Sequence, residues 1–270
     1  MSLYVGARDV VRVTGTDAVS YLQGQISQDV EALAIGDSAW SLVLQPQGKV
    51  DAWFRITRSD ETEFLLDVDA DFGDGLRGRL QRFLLRVDVQ LDLNTWTWHA
   101  HRGSTPEVEN APISAAPAGG VEGLDLIGPE LPDVGADLSL DEFERIRIEA
   151  GLPAMGIELT ENTIPAESGV VPESVSFTKG CYTGQELVAR VDSRGDNTPR
   201  KLRVVRADST LAVGDTLQLE GADVAEITSA AITDQGSVAL AYVRRAALDA
   251  DGLTTASGEP VRIEVPGARA

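Results

Sequence analysis

Two neighbouring stretches, A-W-S-L-V-L-Q and V-D-A-W-F-R-I-T, constrain the fold more than any other feature of the chain. Trp40, Leu42 and Leu44 occupy alternate positions in the first, and Val50, Ala52, Phe54 and Ile56 in the second. A period of two marks strands, and the intervening P-Q-G-K supplies a turn. An antiparallel hairpin is therefore predicted across residues 39–57. Residues 9–13 and E-F-L-L-D-V read as further strands. V-D-V-Q-L-D-L does too, with T-W-T-W-H-A-H continuing it.

Helical spacing appears between these strands. Val19, Leu22 and Ile26 share one face behind Thr16 or Asp17 as N-cap. Leu76, Leu80, Phe83, Leu84 and Val87 mark an amphipathic helix, with its arginines mainly on the other face. In S-L-D-E-F-E-R-I-R-I-E-A-G-L-P, Ser139 and Glu142 form a capping-box pattern, and Gly151 with Pro153 stops the helix. Residues 103–123 read as a long loop without pattern, and residues 154–178 as irregular. From Pro199 onward, short apolar segments separated by glycine turns suit a small β-barrel or sandwich. The class is α+β, with a domain break near residues 197–200.

Composition removes several functions. No apolar run reaches the eighteen or so residues of a membrane span, and no signal peptide is visible at the N-terminus. The single cysteine of 270 residues excludes an internal disulfide and points to a reducing cytoplasm. A net charge of -20 disfavours general attraction to nucleic acid or anionic membranes. Two basic islands stand out against it. Residues 179–206 hold seven basic and three acidic residues, and residues 75–87 hold four arginines and no acid. They suggest either a site for a small anion or ordinary surface ion pairing. His99 and His101 fall on one face of a strand, but no third ligand follows them, so no metal site is expected.

The single cysteine lies in T-K-G-C-Y-T-G-Q-E, residues 178–186. Thr183 and Glu186 fit a second capping box, with a helix beginning at Gly184. Cys181 would then precede a helix N-terminus, with Lys179 beside it. Both effects favour a thiolate if the sulfur is not deeply buried. Gly180 and Gly184 would let a ligand approach the main chain. The opposing reading is a small hydrophobic side chain in a turn.

K-G-C-Y-T-G-Q-E resembles the signature of the YgfZ-type tetrahydrofolate-binding proteins, relatives of the glycine-cleavage T-protein (aminomethyltransferase). V-T-G-T-D-A-V-S-Y-L-Q-G-Q-I-S-Q-D-V and R-I-E-A-G-L-P-A-M-G-I-E-L-T-E-N-T-I-P-A-E are similar to other stretches of that family. The resemblance implies a three-domain cloverleaf around a folate channel. Residues 1–198 would form two intertwined folate-binding domains, with an internal boundary near residues 50–103. Residues 199–270 would form a C-terminal β-barrel. It implies tetrahydrofolate as the bound group, near Lys179, Gly180, Cys181, Tyr182, Gly184, Gln185, Glu186 and Arg190. Lys179 and Cys181 would be the chemically essential pair, with iron–sulfur proteins or their assembly factors as partners. Glu167, in the family's P-x-E position, would meet the pterin ring; otherwise it is an exposed loop glutamate. Gln23 and Gln25 would lie by the pocket, although a solvated helix face also suits at least one of them.

One departure matters. In G-K-V-D-A-W-F-R-I-T, Ala52 and Trp53 occupy the positions where the T-protein carries its catalytic acids. Asp51 is displaced by one residue, onto the opposite strand face. The departure favours a folate-binding accessory protein over a glycine-cleavage enzyme, and the resemblance implies that it supports iron–sulfur cluster assembly or repair and, through iron–sulfur enzymes, tRNA modification. A folate-dependent one-carbon transferase is the alternative.

Overall fold

In the computed structural model, which describes residues 2–103 and 111–267, the expected hairpin forms the edge of a larger sheet. Before it come strand β1 (Ser2–Thr14) and helix α1 (Ala18–Gln25). The hairpin itself is β2 (Ser38–Leu44) and β3 (Val50–Asp60), paired from Ser38 with Thr57 inward and bulged at Val43/Leu44. β4 (Glu63–Asp69), α2 (Gly73–Gln81) and β5 (Gln90–Arg102) follow. β6 (Ile113–Ala115) and β7 (Gly123–Gly128) complete a seven-stranded sheet in the order β2-β3-β4-β1-β5-β7-β6. Each neighbouring pair of strands runs antiparallel. Thus part of the expected loop at 103–123 is strand, while residues 104–110 lie outside the described residues.

β1 is far longer than the five residues read from the sequence, and it pairs with β5 over all 13 of its positions. Its alternation is masked by buried charge. Arg8 pairs with Asp67 at 2.8 Å and Asp69 at 2.6 Å. Asp9 accepts from Thr95 Oγ1 at 2.8 Å and from the Gly73 amide at 3.0 Å. Buried polar groups persist where each finds a partner.

α1 and α2 pack Leu22, Ile26, Leu76 and Leu80 against Leu42, Phe54, Phe64 and Leu66 in the main core. α2 stops at Gln81, earlier than its spacing suggested. Leu84 and Val87 still reach the core, whereas Phe83 turns outward. Arg79 also departs from expectation, because it is buried and pairs with Asp51 at 3.0 Å.

α3 (Leu140–Glu149) has its complete capping box, and Gly151 leaves it at φ 74. The irregular segment contains two short helices, α4 (Pro165–Ser168) and α5 (Val171–Ser174), each with proline in its first turn. α6 (Gln185–Ser193) comes next. The second sheet is built from β8 (Arg200–Ala207), β9 (Thr216–Leu219), β10 (Ala222–Thr233), β11 (Gly236–Arg244), β12 (Thr254–Thr255) and β13 (Val261–Glu264). Its order is β12-β9-β10-β11-β8-β13, antiparallel, with its own apolar core around Val205, Leu217, Ile227 and Val243.

Glu158 joins the two halves. It is 1% exposed and accepts from Thr228 Oγ1 at 2.7 Å, Ser229 Oγ at 2.6 Å and Arg147 at 3.2 Å. Tyr242 Oη donates to the Glu158 carbonyl at 2.9 Å.

Candidate functional site

The end of α1 leaves carbonyls without helical donors, at the negative pole of the helix. α1 has no basic residue in its last turn. Lys179 fills that role from the other side of the sequence. Its Nζ donates to the carbonyls of Gln23 at 2.8 Å, Ile26 at 2.7 Å and Gln28 at 2.8 Å. The Thr183 amide adds a bond to the Gly24 carbonyl at 3.3 Å. Burial pushes the Lys179 ammonium down to about 8, against the opposing pull of Asp29 and Glu31. The ammonium also lies 5.2 Å from the Tyr182 ring centroid. Tyr182 is buried, which pushes its phenol up to about 12.

Cys181, two residues on, is exposed. The reading of a sulfur packed as a small hydrophobic side chain is therefore set aside. The second capping box is also absent. α6 starts at Gln185, and Gly184 is its N-cap in the left-handed region at φ 84, with no side-chain cap. A Cβ on Gly184 would sit 2.5 Å from the Gln45 carbonyl and 2.7 Å from Leu44 Cβ. The turn between β2 and β3, not a ligand, demands that glycine. Gly180 has open space around it. Gln185 Oε1 accepts from the Tyr182 amide at 3.2 Å, and Glu186 and Arg190 are exposed.

Glu167 is not an exposed loop residue. It is 4% exposed, in the first turn of α4, and accepts from Arg200 Nε at 3.1 Å. It lines a cavity of about 590 Å³ with Phe177, Val188, Lys201 and Arg203. Lys179, Cys181 and Arg190 do not line this cavity. Gln23 is occupied by Asp29 at 2.9 Å and the Val30 amide at 2.8 Å. Gln25 Oε1 is buried without a partner among the described residues.

Much of the basic charge is paired. Arg200 bonds Glu167, Lys201 bonds Asp196, Arg206 bonds Glu264, Arg77 bonds Asp74 and Arg79 bonds Asp51. Burial lowers the Arg203 guanidinium below its ordinary value. His99 and His101 are buried in β5, and burial pushes both imidazoles down. No group of three metal-ligating side chains occurs among the described residues.

A second cavity, of about 160 Å³, was missed in the sequence. Trp40, Trp53, Trp98, Phe143, Arg8 and Arg102 are among its walls. Trp40 and Trp53 stack with centroids 4.4 Å apart, and Trp98 Nε1 is buried without a partner. Behind it, Arg55 grips Asp67 at 2.9 Å and Asp125 at 3.2 Å, and Arg102 holds Asp125 at 2.9 Å. Burial raises the Asp125 carboxyl, but Arg55 and Arg102 outweigh it, so its pKa falls below the usual range. The alternating tryptophans were the only sequence signal for this aromatic wall. Ala52 and Trp53, at the T-protein acid positions, are both buried.

No protein-family model matches the chain. It is 31% identical over 192 residues to an uncharacterized protein of Haemophilus influenzae, covering 70% of this chain and 67% of that one. It is 32% identical over 213 residues to a mitochondrial iron-sulfur cluster assembly factor IBA57 homolog of Mycosarcoma maydis, covering 70% and 53%. It is 25% identical over 295 residues to the tRNA-modifying protein YgfZ of Edwardsiella ictaluri, covering 90% and 84%. The chain thus spans about half the length of the mitochondrial relative. In fold it resembles the crystal structure of glycine cleavage system aminomethyltransferase T from Bartonella henselae. The TM-score is 0.77 at 16% identity, over 99% of this chain and 86% of that one. Its sequence relatives, its fold and its K-G-C-Y-T-G-Q-E loop agree: the chain belongs to the YgfZ-type family of glycine-cleavage T-protein relatives.

Proposed function

We propose that this protein binds tetrahydrofolate and supports assembly or repair of iron–sulfur proteins, and through them tRNA modification. The observation that carries the reading is the division of roles in one loop. Lys179 is spent on three internal carbonyls, while Cys181, the only thiol in the chain, is left exposed. An exposed thiol on a fixed loop suits transient contact with a cluster or a partner. The names of the IBA57 and YgfZ relatives support the same role.

The chemistry of the Glu167 cavity fits a folate. Glu167 Oε1 has no hydrogen-bond partner among the described residues, so it is open to N–H donors of an aminopyrimidine edge. Phe177 offers an aromatic face, and Arg203 offers positive charge for a glutamyl carboxylate. The transferase alternative is disfavoured, because Asp51 is engaged by Arg79 and its neighbours carry no acid.

We assign residues 1–198 to two intertwined folate-binding domains and residues 199–270 to a C-terminal barrel, within a three-domain cloverleaf. The separate apolar core of the second sheet supports that boundary. No helix among the described residues is long and apolar enough to cross a membrane. We place the protein in the cytoplasm on the strength of its single cysteine.

Titration with tetrahydrofolate tests the binding half. Saturable binding that weakens in Glu167→Gln is expected, and no saturable binding would sink it. For the thiol, a strain lacking the protein should regain iron–sulfur enzyme activity with wild type but not with Cys181→Ser. Equal rescue would remove the sulfur from the function.

A further inference from the structure

The turn after α2 exposes apolar side chains between unpaired charges. Phe83 is 41% exposed and Leu85 is 79% exposed. Leu84 and Val87 are anchored in the core, and this alternation turns Phe83 and Leu85 outward. Phe83 has a rigid mount. The Arg79 guanidinium lies 4.5 Å from its ring centroid and is itself fixed by Asp51 and the Leu44 carbonyl, each at 3.0 Å. Arg82 and Arg86 flank the pair. Both are exposed, and neither side chain makes an ion pair or hydrogen bond among the described residues.

We propose that Arg82, Phe83, Leu85 and Arg86 form a docking knuckle for a partner protein that presents an apolar cleft rimmed by carboxylates. Arginine and aromatic side chains are the residues that most often dominate interface energies. A pre-fixed aromatic ring loses little entropy on binding. Charge selects the partner class. In a chain of net charge -20, an acidic partner is repelled broadly and is admitted where free arginines lie. Two free arginines are too few to hold a nucleic acid or an anionic bilayer against that charge.

α1 contacts both the helix that carries the knuckle and the Cys181 loop. Tyr21 Oη of α1 donates to the Leu80 carbonyl of α2 at 2.6 Å, and the end of α1 holds Lys179. The proposal requires neither folate nor chemistry at Cys181.

The test places a photo-crosslinking amino acid at position 85 of the full chain in its native cell. The cross-linked protein is identified, purified and titrated against wild type, Arg82→Glu/Arg86→Glu and Phe83→Ser/Leu85→Ser. Saturable binding to an acidic protein is expected, weakened about 10-fold or more by either double variant and falling with salt. Thermal unfolding like wild type would show that both variants still fold. The proposal is overturned if position 85 yields no protein cross-link, if it captures lipid or RNA instead, or if the purified partner binds the folded variants as tightly as wild type.

Discussion

Lys179 and Ile26 are 153 residues apart in the chain, yet the Lys179 ammonium donates to the Ile26 carbonyl at 2.7 Å. With the carbonyls of Gln23 and Gln28 it closes a three-bond tether between the cysteine loop and the end of α1. In this arrangement the lysine is a structural clamp on the loop, so the loop's shape and the protein's stability depend on one side chain.

Lys179→Met should therefore destabilise the fold by about 2–4 kcal/mol, since it strips charge-assisted donors from three carbonyls. Urea denaturation measures the loss. The rate of Cys181 alkylation by iodoacetamide should change as well, because the loop is released. Unchanged stability and unchanged alkylation would rule out the clamp.

Lys179 should titrate near 8, against an ordinary lysine value of 10.5. The chain has only three lysines, so NMR of 13C-labelled lysine can resolve it. Below about 8, folded and unfolded chains both hold the proton. Between about 8 and 10.5 only the unfolded chain does, so this group makes stability rise with pH there. The difference in stability between wild type and Lys179→Met should show that slope. A flat difference across this window would contradict the shift.

One equivalent of thiol should react with Ellman's reagent in the native protein without denaturant, since Cys181 is exposed. Cys181→Ser should leave unfolding within about 0.5 kcal/mol of wild type. Slow labelling, or a large loss of stability, would place the sulfur in the interior instead.

Asp67 is fully buried between Arg55 and Arg8. Asp67→Ala should cost about 3–5 kcal/mol, because two buried guanidinium groups each lose one carboxylate partner and keep only Asp69 or Asp125. Asp125 adds an acid dependence. Its pKa is lower folded than unfolded, so its contribution is present above the ordinary carboxylate value and is lost as pH falls through the folded value. Denaturation followed from pH 6 to pH 2 should show stability falling in that acid range. Stability that holds or rises on acidification would refute this part.

The sequence by itself determined what depends on near neighbours. The β2–β3 hairpin follows from a period of two around P-Q-G-K. α3 follows from Ser139, Glu142 and Gly151. The strands of the second sheet follow from apolar runs between glycine turns. The missing acids at Ala52 and Trp53 were equally plain, because a residue's identity does not depend on folding. Only the tertiary structure decided the rest. β1 looked short because the charged Arg8 interrupts its apolar pattern, and its partners Asp67 and Asp69 come from β4. Gly184 looked like room for a ligand, but the turn before Val50 fills that room. Glu167 could be read either as a ligand contact or as an exposed loop residue, and burial beside Arg200 in α4 removed the second reading. Lys179 looked like a partner for the Cys181 thiol, and the fold gave its three N–H groups to the end of α1. Periodicity and capping are satisfied within a few residues, so they can be read in one dimension. A buried charge takes whichever partner the fold brings to it, and no local pattern records which one that is.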